Sequence, residues 1–342
     1  MVQSIVVAFS NRPQISEVSP SAAIPGGELV IRGKGLTPAD RPQARFGDVA
    51  APIVIGSESL LIVKVPEGAD RGDLSLGGSD DVAWRCDIGI QIADGLHPVA
   101  NPVVDTFGNI YATLSGAAGH KTPVSVYKIE PNLRPKALVT EILNATGLAF
   151  DNSGLLYVSS RHDGVVYQAS PSGNAVTYVE GMGVATGIVF DREDNLYVGD
   201  RSGTIFKISR DRQIYVFATI ERSISAYHLA IGPDGYLYVT GPTTSSFDVI
   251  HRVSPDGQVD VFYRGLGRPQ GMAFDADGNL YVAASLAGRR GVVRISPDRQ
   301  AELFLSGPSI VGLAFAPGKA MIVATGNALY RVSAGVEGRP LP

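Results

Sequence analysis

A single cysteine, Cys86, and a single tryptophan, Trp84, stand in a chain of 342 residues. One thiol excludes an intrachain disulfide, so the fold is held by non-covalent forces, and the redox state of the compartment leaves no mark on the sequence. Charge is scarce as well. Asp, Glu, Lys and Arg make up 18% of the chain, below the roughly 25% of an average soluble domain. The 29 basic residues are outnumbered by 33 acidic ones, a formal charge of −4. That balance argues against nucleic acid as a partner, because phosphate contacts require clustered Lys and Arg. No stretch approaches the roughly 20 apolar residues of a membrane-spanning helix. The opening MVQSIVVAFSNRPQ has no basic n-region and only a short apolar stretch, Ile5 to Phe9, so no signal peptide is read there. As written the chain reads as cytoplasmic; the mature form of a secreted protein has the same features.

Glycine is abundant instead, with 40 of 342 positions against roughly 7% in an average chain. Many turns and little charged helix surface point to an all-β protein. A phrase Leu-Tyr-Val recurs with its central residue at Tyr111, Tyr157, Tyr197, Tyr238, Tyr281 and, degenerate, Ile322, at spacings of 46, 40, 41, 43 and 41. Ahead of it lies a short apolar strand, as in GLAFD (147–151), GIVFD (187–191), GMAFD (271–275) and GLAFA (312–316). Asp, Asn and Gly fill the turn between, where tight turns need side-chain caps and positive φ. A third and a fourth strand follow in each unit. Four short strands repeating about every 41 residues are the pattern of a β-propeller blade, and six units fit from about 98 to 334. The last unit stops at RVSAG without a fourth strand. Residues 88–94, IGIQIAD, align with the fourth strands, so they are expected to close the ring from the N-terminal side. Closure of this kind removes exposed strand edges.

Residues 13–86 follow another rule. Leu29 and Ile31 alternate between Gly26-Gly27 and Gly33, and strands are expected at 43–46, 52–55 and 60–65. Short strands with regular turns suggest a small β-sandwich. The phrases Pro13-Gln-Ile15…Val18-Ser-Pro20, Gly26-Gly27…Val30-Ile31-Arg-Gly33 and Val65-Pro66-Glu-Gly68 resemble the IPT/TIG immunoglobulin-like domain. The repeats resemble NHL repeats, best in TGIVFDREDNLYVGDRSGTIFKIS (186–209). They are also similar to the six-bladed gluconolactonase/regucalcin propellers, best in RPQGMAFDADGNLYVAASLAGRRGVVRISP (268–297). The resemblances imply an all-β chain with an immunoglobulin-like sandwich at 13–86 and a six-bladed propeller at 87–336.

In such a propeller the inner strands start at the mouth of a central channel, at Asn101, Thr146, Thr186, His228, Gln270 and Val311. The gluconolactonase-like family holds one divalent metal there with Glu, Asn and Asp. By blade order those positions are Asn101, His228 and Gln270 here, and both acids are gone. Hard cations need carboxylate oxygens, so these three are candidate ligands for a Ca²⁺ or Zn²⁺ ion only through a rearranged shell. A zinc site of the kind found in six-bladed lyases needs three convergent histidines from the five present, and the Trp-Phe-Thr-Glu signature of streptogramin lyases is absent. His228 is the candidate catalytic base, with an ordinary imidazole pKa of about 6.5. There is no G-x-S-x-G elbow and no phosphate-binding G-x-x-x-x-G-K-[ST] loop. The loops after the second strands carry Arg161, Arg201 and Arg289, which grip carboxylates or phosphates in other contexts.

Two readings follow. One is a binding or scaffold protein that takes a protein or a small anionic ligand at the propeller mouth. The other, implied by the gluconolactonase resemblance, is a hydrolase of lactones or esters with a rearranged channel site.

Overall fold

The computed structural model describes the chain except residues 1–12, 38–42, 78–82, 118, 132–133, 246–247 and 341–342. The opening segment read for a signal peptide therefore lies largely outside the described residues. Among the described residues every regular element is a strand, and no helix is long and apolar enough to cross a membrane. The chain divides into two compact units, residues 1–89 with 305–307, and residues 90–304 with 308–342.

The first unit contains two four-stranded antiparallel sheets. One orders Gln14–Ser19, Glu28–Lys34, Leu60–Lys64 and Ile53–Gly56; the other orders Val49–Ala51, Ala44–Phe46, Asp73–Leu76 and Trp84–Arg85. Period-two alternation puts Leu29, Ile31, Leu61 and Val63 on one inner face, where they meet Phe46 and Leu74 in a shared core. All six are fully buried. This is the packing of an immunoglobulin-like sandwich.

The second unit is a six-bladed β-propeller. Blade 1 runs Val103–Val104, Ile110–Thr113, Val126–Ile129 and Pro135–Val139, and blade 2 runs Ala145–Phe150, Leu156–Ser160, Val165–Ala169 and Ala175–Val179. Blade 3 is Ala185–Phe190, Leu196–Asp200, Thr204–Ile208 and Ile214–Thr219; blade 4 is His228–Ile231, Leu237–Thr240, Asp248–Val253 and Val259–Leu266. Blade 5 has Met272–Phe274, Leu280–Leu286, Arg289–Ile295 and Ala301–Ser306. Blade 6 has Ile310–Ala316, Ala320–Thr325 and Leu329–Ser333, with Ile90–Ala93 as its fourth strand.

The closing strand differs from its expected bounds. Ile90 lies opposite Arg331 and Gln91 opposite Tyr330, but Asp87 and Ile88 pair in parallel with Ala22 and Ala23 in the first unit. The strand expected from residue 88 therefore begins at 90, because backbone groups at 87–88 are already satisfied by a neighbour far away in sequence. The far end also extends further than the expected boundary at 336. After Ser333 the tail turns back, with the Ala276 N–H donating to the Glu337 carbonyl, the Arg339 N–H donating to the Phe274 carbonyl, and a bridge between Gly338 and Asp275.

The recurrent Tyr and Asp have a joint role. Asp151 ends the inner strand of blade 2; one carboxylate oxygen accepts the N–H groups of Ser153 and Leu155, and the other accepts the Tyr157 hydroxyl at 3.1 Å. Asp105 with Tyr111 and Asp191 with Tyr197 repeat the arrangement, and Asp234 with Tyr238 supplies a variant of it. Each Tyr ring then meets the residue that ends the next blade's inner strand. Tyr111 packs on Phe150 at 5.3 Å between centroids, Tyr157 on Phe190 at 4.7 Å, Tyr238 on Phe274 at 4.9 Å and Tyr281 on Phe315 at 5.2 Å. In blade 6, Ile322 takes the Tyr position and shares a core with Val104.

Asp151→Ala leaves two backbone donors and a phenol without their acceptor. It is expected to lower stability by about 1–3 kcal/mol, and Tyr157→Phe by about 1.5 kcal/mol. Urea denaturation followed by circular dichroism measures both; equal midpoints for Asp151→Ala and the native chain would show that water replaces the carboxylate at no cost.

Candidate functional site

The inner strands enclose a cavity of about 280 Å³. Its wall includes one small residue from each blade, Val103, Ala149, Val189, Ala230, Ala273 and Ala314. Each lies across the strand pair from the recurrent Tyr, or from Ile322 in blade 6. Small side chains there leave space at the axis beside the bulky Tyr–Phe contacts. The apolar wall continues through Phe150, Phe190, Phe274 and Phe315. Among the described residues no Asp or Glu lines it.

At the end where inner strands start, the chain is crowded. A Cβ added at Gly147 would collide with the Thr186 carbonyl, and one at Gly312 would lie 2.8 Å from the Ala100 carbonyl. The glycine of the GLAF phrase thus admits the neighbouring blade's backbone. The candidate residues are consumed by this packing. The Asn101 amide donates to the Met272 carbonyl at 2.8 Å and its oxygen accepts the Leu313 N–H at 3.1 Å, so it bridges blades 5 and 6. Thr146 donates to the Asn144 carbonyl. Thr186 donates to the Gly199 carbonyl and accepts the Tyr227 N–H. Gln270 offers its carbonyl to Thr240 and is absent from the cavity wall.

His228 does line the cavity, and its residue is 3% exposed. Burial drives its imidazole pKa down to about 4, because the protonated ring would lose its hydration. The expectation of a base titrating near 6.5 is therefore corrected: at neutral pH the ring is uncharged and a weak proton acceptor. His251 belongs elsewhere, on a separate cavity of about 190 Å³ with Ile220, Tyr227 and Asp248. His97 is held by the Gly326 carbonyl, and His120 and His162 are exposed.

The metal implied by the gluconolactonase resemblance does not fit these residues. Of its three candidate ligands, Asn101 has its amide engaged by two backbone groups, Gln270 is outside the cavity, and His228 stands alone. Among the described residues no group of three or more His, Cys, Asp or Glu side chains could hold an ion. No step through a metal is derived.

The expected arginines also lie off the cavity. Arg161 donates to the Gly116 carbonyl and Arg201 to the Ile224 carbonyl, each at 2.9 Å. These two are brought close enough to interact: burial, and then the neighbouring Arg201 charge, lower the pKa of Arg161. Arg289 sits opposite Leu286 in the long hairpin of blade 5, apart from the cavity wall. The cations that do reach the cavity are Arg192 and Arg339, beyond the Phe end of the inner strands. Arg192 was legible in the turns, since its equivalents are Thr106, Asn152, Pro233, Ala276 and Pro317 and it alone is basic. Arg339 follows the last repeat and carried no signal. Burial and then Arg192 lower the pKa of Arg339, while Asp234 raises it.

Comparison with known proteins separates the two units. Residues 13–81 match the IPT/TIG domain family. That segment is an IPT/TIG domain. No curated protein matches the chain. Among solved structures, a gluconolactonase-like protein is similar at 14% identity and a TM-score of 0.60, covering 74% of this chain and 94% of its own. Virginiamycin B lyase from Staphylococcus aureus is similar at 15% identity and 0.54, covering 73% and 86%. An auxiliary nutrient binding protein from Bacteroides thetaiotaomicron is similar at 11% identity and 0.54, covering 94% and 97%. At such identities the likeness is one of fold.

The buried imidazole makes a pH prediction. Above pH 6.5 the ring is neutral in folded and unfolded chains alike and contributes no pH dependence. Between pH 6.5 and 4 the unfolded chain binds a proton that the folded chain refuses, so stability falls as pH falls, by up to about 3 kcal/mol in total. His228→Asn is expected to flatten the stability profile across that window. An unaltered slope, or a folded-state His228 NMR titration centred near 6.5, would show that the ring is hydrated.

Proposed function

We propose that this chain is a non-catalytic ligand-binding protein whose propeller channel takes a small, mainly apolar molecule. One observation carries the reading: six inner strands wall a cavity of about 280 Å³, and among the described residues no carboxylate lines it. Ligand sites are typically concave and apolar, with few polar groups to fix orientation. Hydrolysis needs an activated water, for which a metal or a well-placed base is the usual source. Here, among the described residues, a neutral His228 is the only titratable group on the inner strands' part of the wall. The site proposed is thus the channel, in place of the Arg161, Arg201 and Arg289 loops. The partner class is a small molecule, and a formal charge of −4 favours it over nucleic acid. A cytoplasmic setting and the absence of a membrane span remain part of this proposal.

A panel of lactones and carboxylic esters, with and without added Ca²⁺ or Zn²⁺, is expected to give no turnover above the uncatalysed rate. Calorimetry or ligand-observed NMR with apolar probes of about ten heavy atoms is expected to give saturable binding. Ala273→Leu and Ala314→Leu, which narrow the channel, should weaken that binding at least tenfold. Turnover abolished by EDTA and by His228→Ala would establish the hydrolase reading instead.

A further inference from the structure

We infer that the channel selects a small amphipathic monoanion, its carboxylate head held between the guanidinium groups of Arg192 and Arg339 and its apolar body directed toward His228. This rests on the reading of the channel as a ligand site and adds the chemistry of the ligand.

The two ends of the cavity differ in charge. At the Phe end, Arg192 projects from the turn between Phe190 and Leu196, and Arg339 arrives on the returning tail. The tail is anchored by the Arg339 N–H on the Phe274 carbonyl at 3.0 Å and by the Gly338–Asp275 bridge, so the position of Arg339 is built into the fold. One Arg339 Nη donates to the Ile231 carbonyl at 3.3 Å; a guanidinium has five N–H donors, so others remain for a ligand. Among the described residues, no hydrogen bond or ion pair engages the Arg192 guanidinium; only its backbone carbonyl is used, by Asn152. The carboxylate that acts on Arg339, Asp234, already accepts the Tyr238 hydroxyl at 2.9 Å and lies 3.9 Å from Arg252. Both cations thus line this end of the cavity, the Arg192 charge acts against that of Arg339, and a bound anion offsets their repulsion.

At the other end no described residue of the wall carries a positive charge for an anion. His228 is neutral, and the Asn101 amide is committed to backbone partners. Between the ends the wall is apolar. The volume of about 280 Å³ lies near the lower end of ligand pockets, roughly 300–1,000 Å³, which suits a small ligand with a short apolar body. A ligand of this shape enters head outward, tail inward, in one orientation.

Octanoate, 1-octanol and acetate separate the contributions, with affinities measured by isothermal calorimetry on the full chain and on Arg192→Gln and Arg339→Gln. The expected result is saturable octanoate binding, octanol weaker by tenfold or more, and no saturable acetate binding. Each variant should weaken octanoate about tenfold while leaving octanol unchanged. Unchanged octanol affinity also serves as the check that the variants fold, and Arg192 is exposed, so its loss leaves the core intact. Equal affinity for octanoate and octanol, insensitive to both variants, would overturn the inference while the channel reading stands. Acetate binding as tightly as octanoate would overturn it too, by locating the anion on the rim without the channel. Binding of neither octanoate nor octanol would overturn the channel reading itself.

Discussion

The second-strand tyrosine does two jobs in blades 1, 2 and 4 and one of them in blades 3 and 5, and the propeller depends on both. In blades 1 to 3 its hydroxyl reaches back to the Asp that follows its own blade's inner strand, which fixes the turn. In blades 1, 2, 4 and 5 its ring reaches forward to the Phe near the end of the next blade's inner strand. A hydrogen bond to a carboxylate is worth roughly 1.5–3 kcal/mol, and an aromatic pair adds roughly 0.5–1.5 kcal/mol beyond its buried area. Repeating that pair of contacts couples turn geometry to blade spacing. A change at one Tyr therefore disturbs a turn and an interblade seam together.

Blade 6 shows what replaces the device when it is missing. Ile322 stands where Tyr stands elsewhere, and Ala316 stands where Asp does. Neither the phenol nor the carboxylate is available, so that blade relies on backbone pairing with Ile90–Ala93 and on the shared core of Ile322 and Val104. Asn101 adds a side-chain staple between the inner strands of blades 5 and 6. A residue that resemblance places at a metal position is here part of ring closure.

The same geometry creates the channel and limits its chemistry. Small residues opposite each Tyr leave a void at the axis, and the Phe side chains that seal the seams also form its wall. An apolar wall lowers the local dielectric, which keeps His228 uncharged and makes positive charge at the rim costly. Cation at one end and neutral imidazole at the other give the cavity a direction.

Periodicity made much of this legible in advance. Four short strands every 41 or so residues, with Asp at one fixed place and Tyr at another, specify blades through local turn chemistry and alternation, without reference to distant contacts. Leu29 and Ile31 announced the sandwich core for the same reason, because side-chain direction in a strand has period two. The missing strand after Ser333 pointed to residues near 90 as its replacement. The exact start escaped local reading, since the competition for Asp87 and Ile88 was decided by Ala22–Ala23, some 65 residues away. Site chemistry escaped for a related reason. Sequence placed Asn101, Thr146, Thr186, His228 and Gln270 at inner-strand starts, but whether a polar group faces a ligand or a neighbouring carbonyl is settled by interblade packing. Arg192 could be picked out as the lone cation in its turn position; its partnership with Arg339 required the tail to fold back, which only the tertiary structure decides.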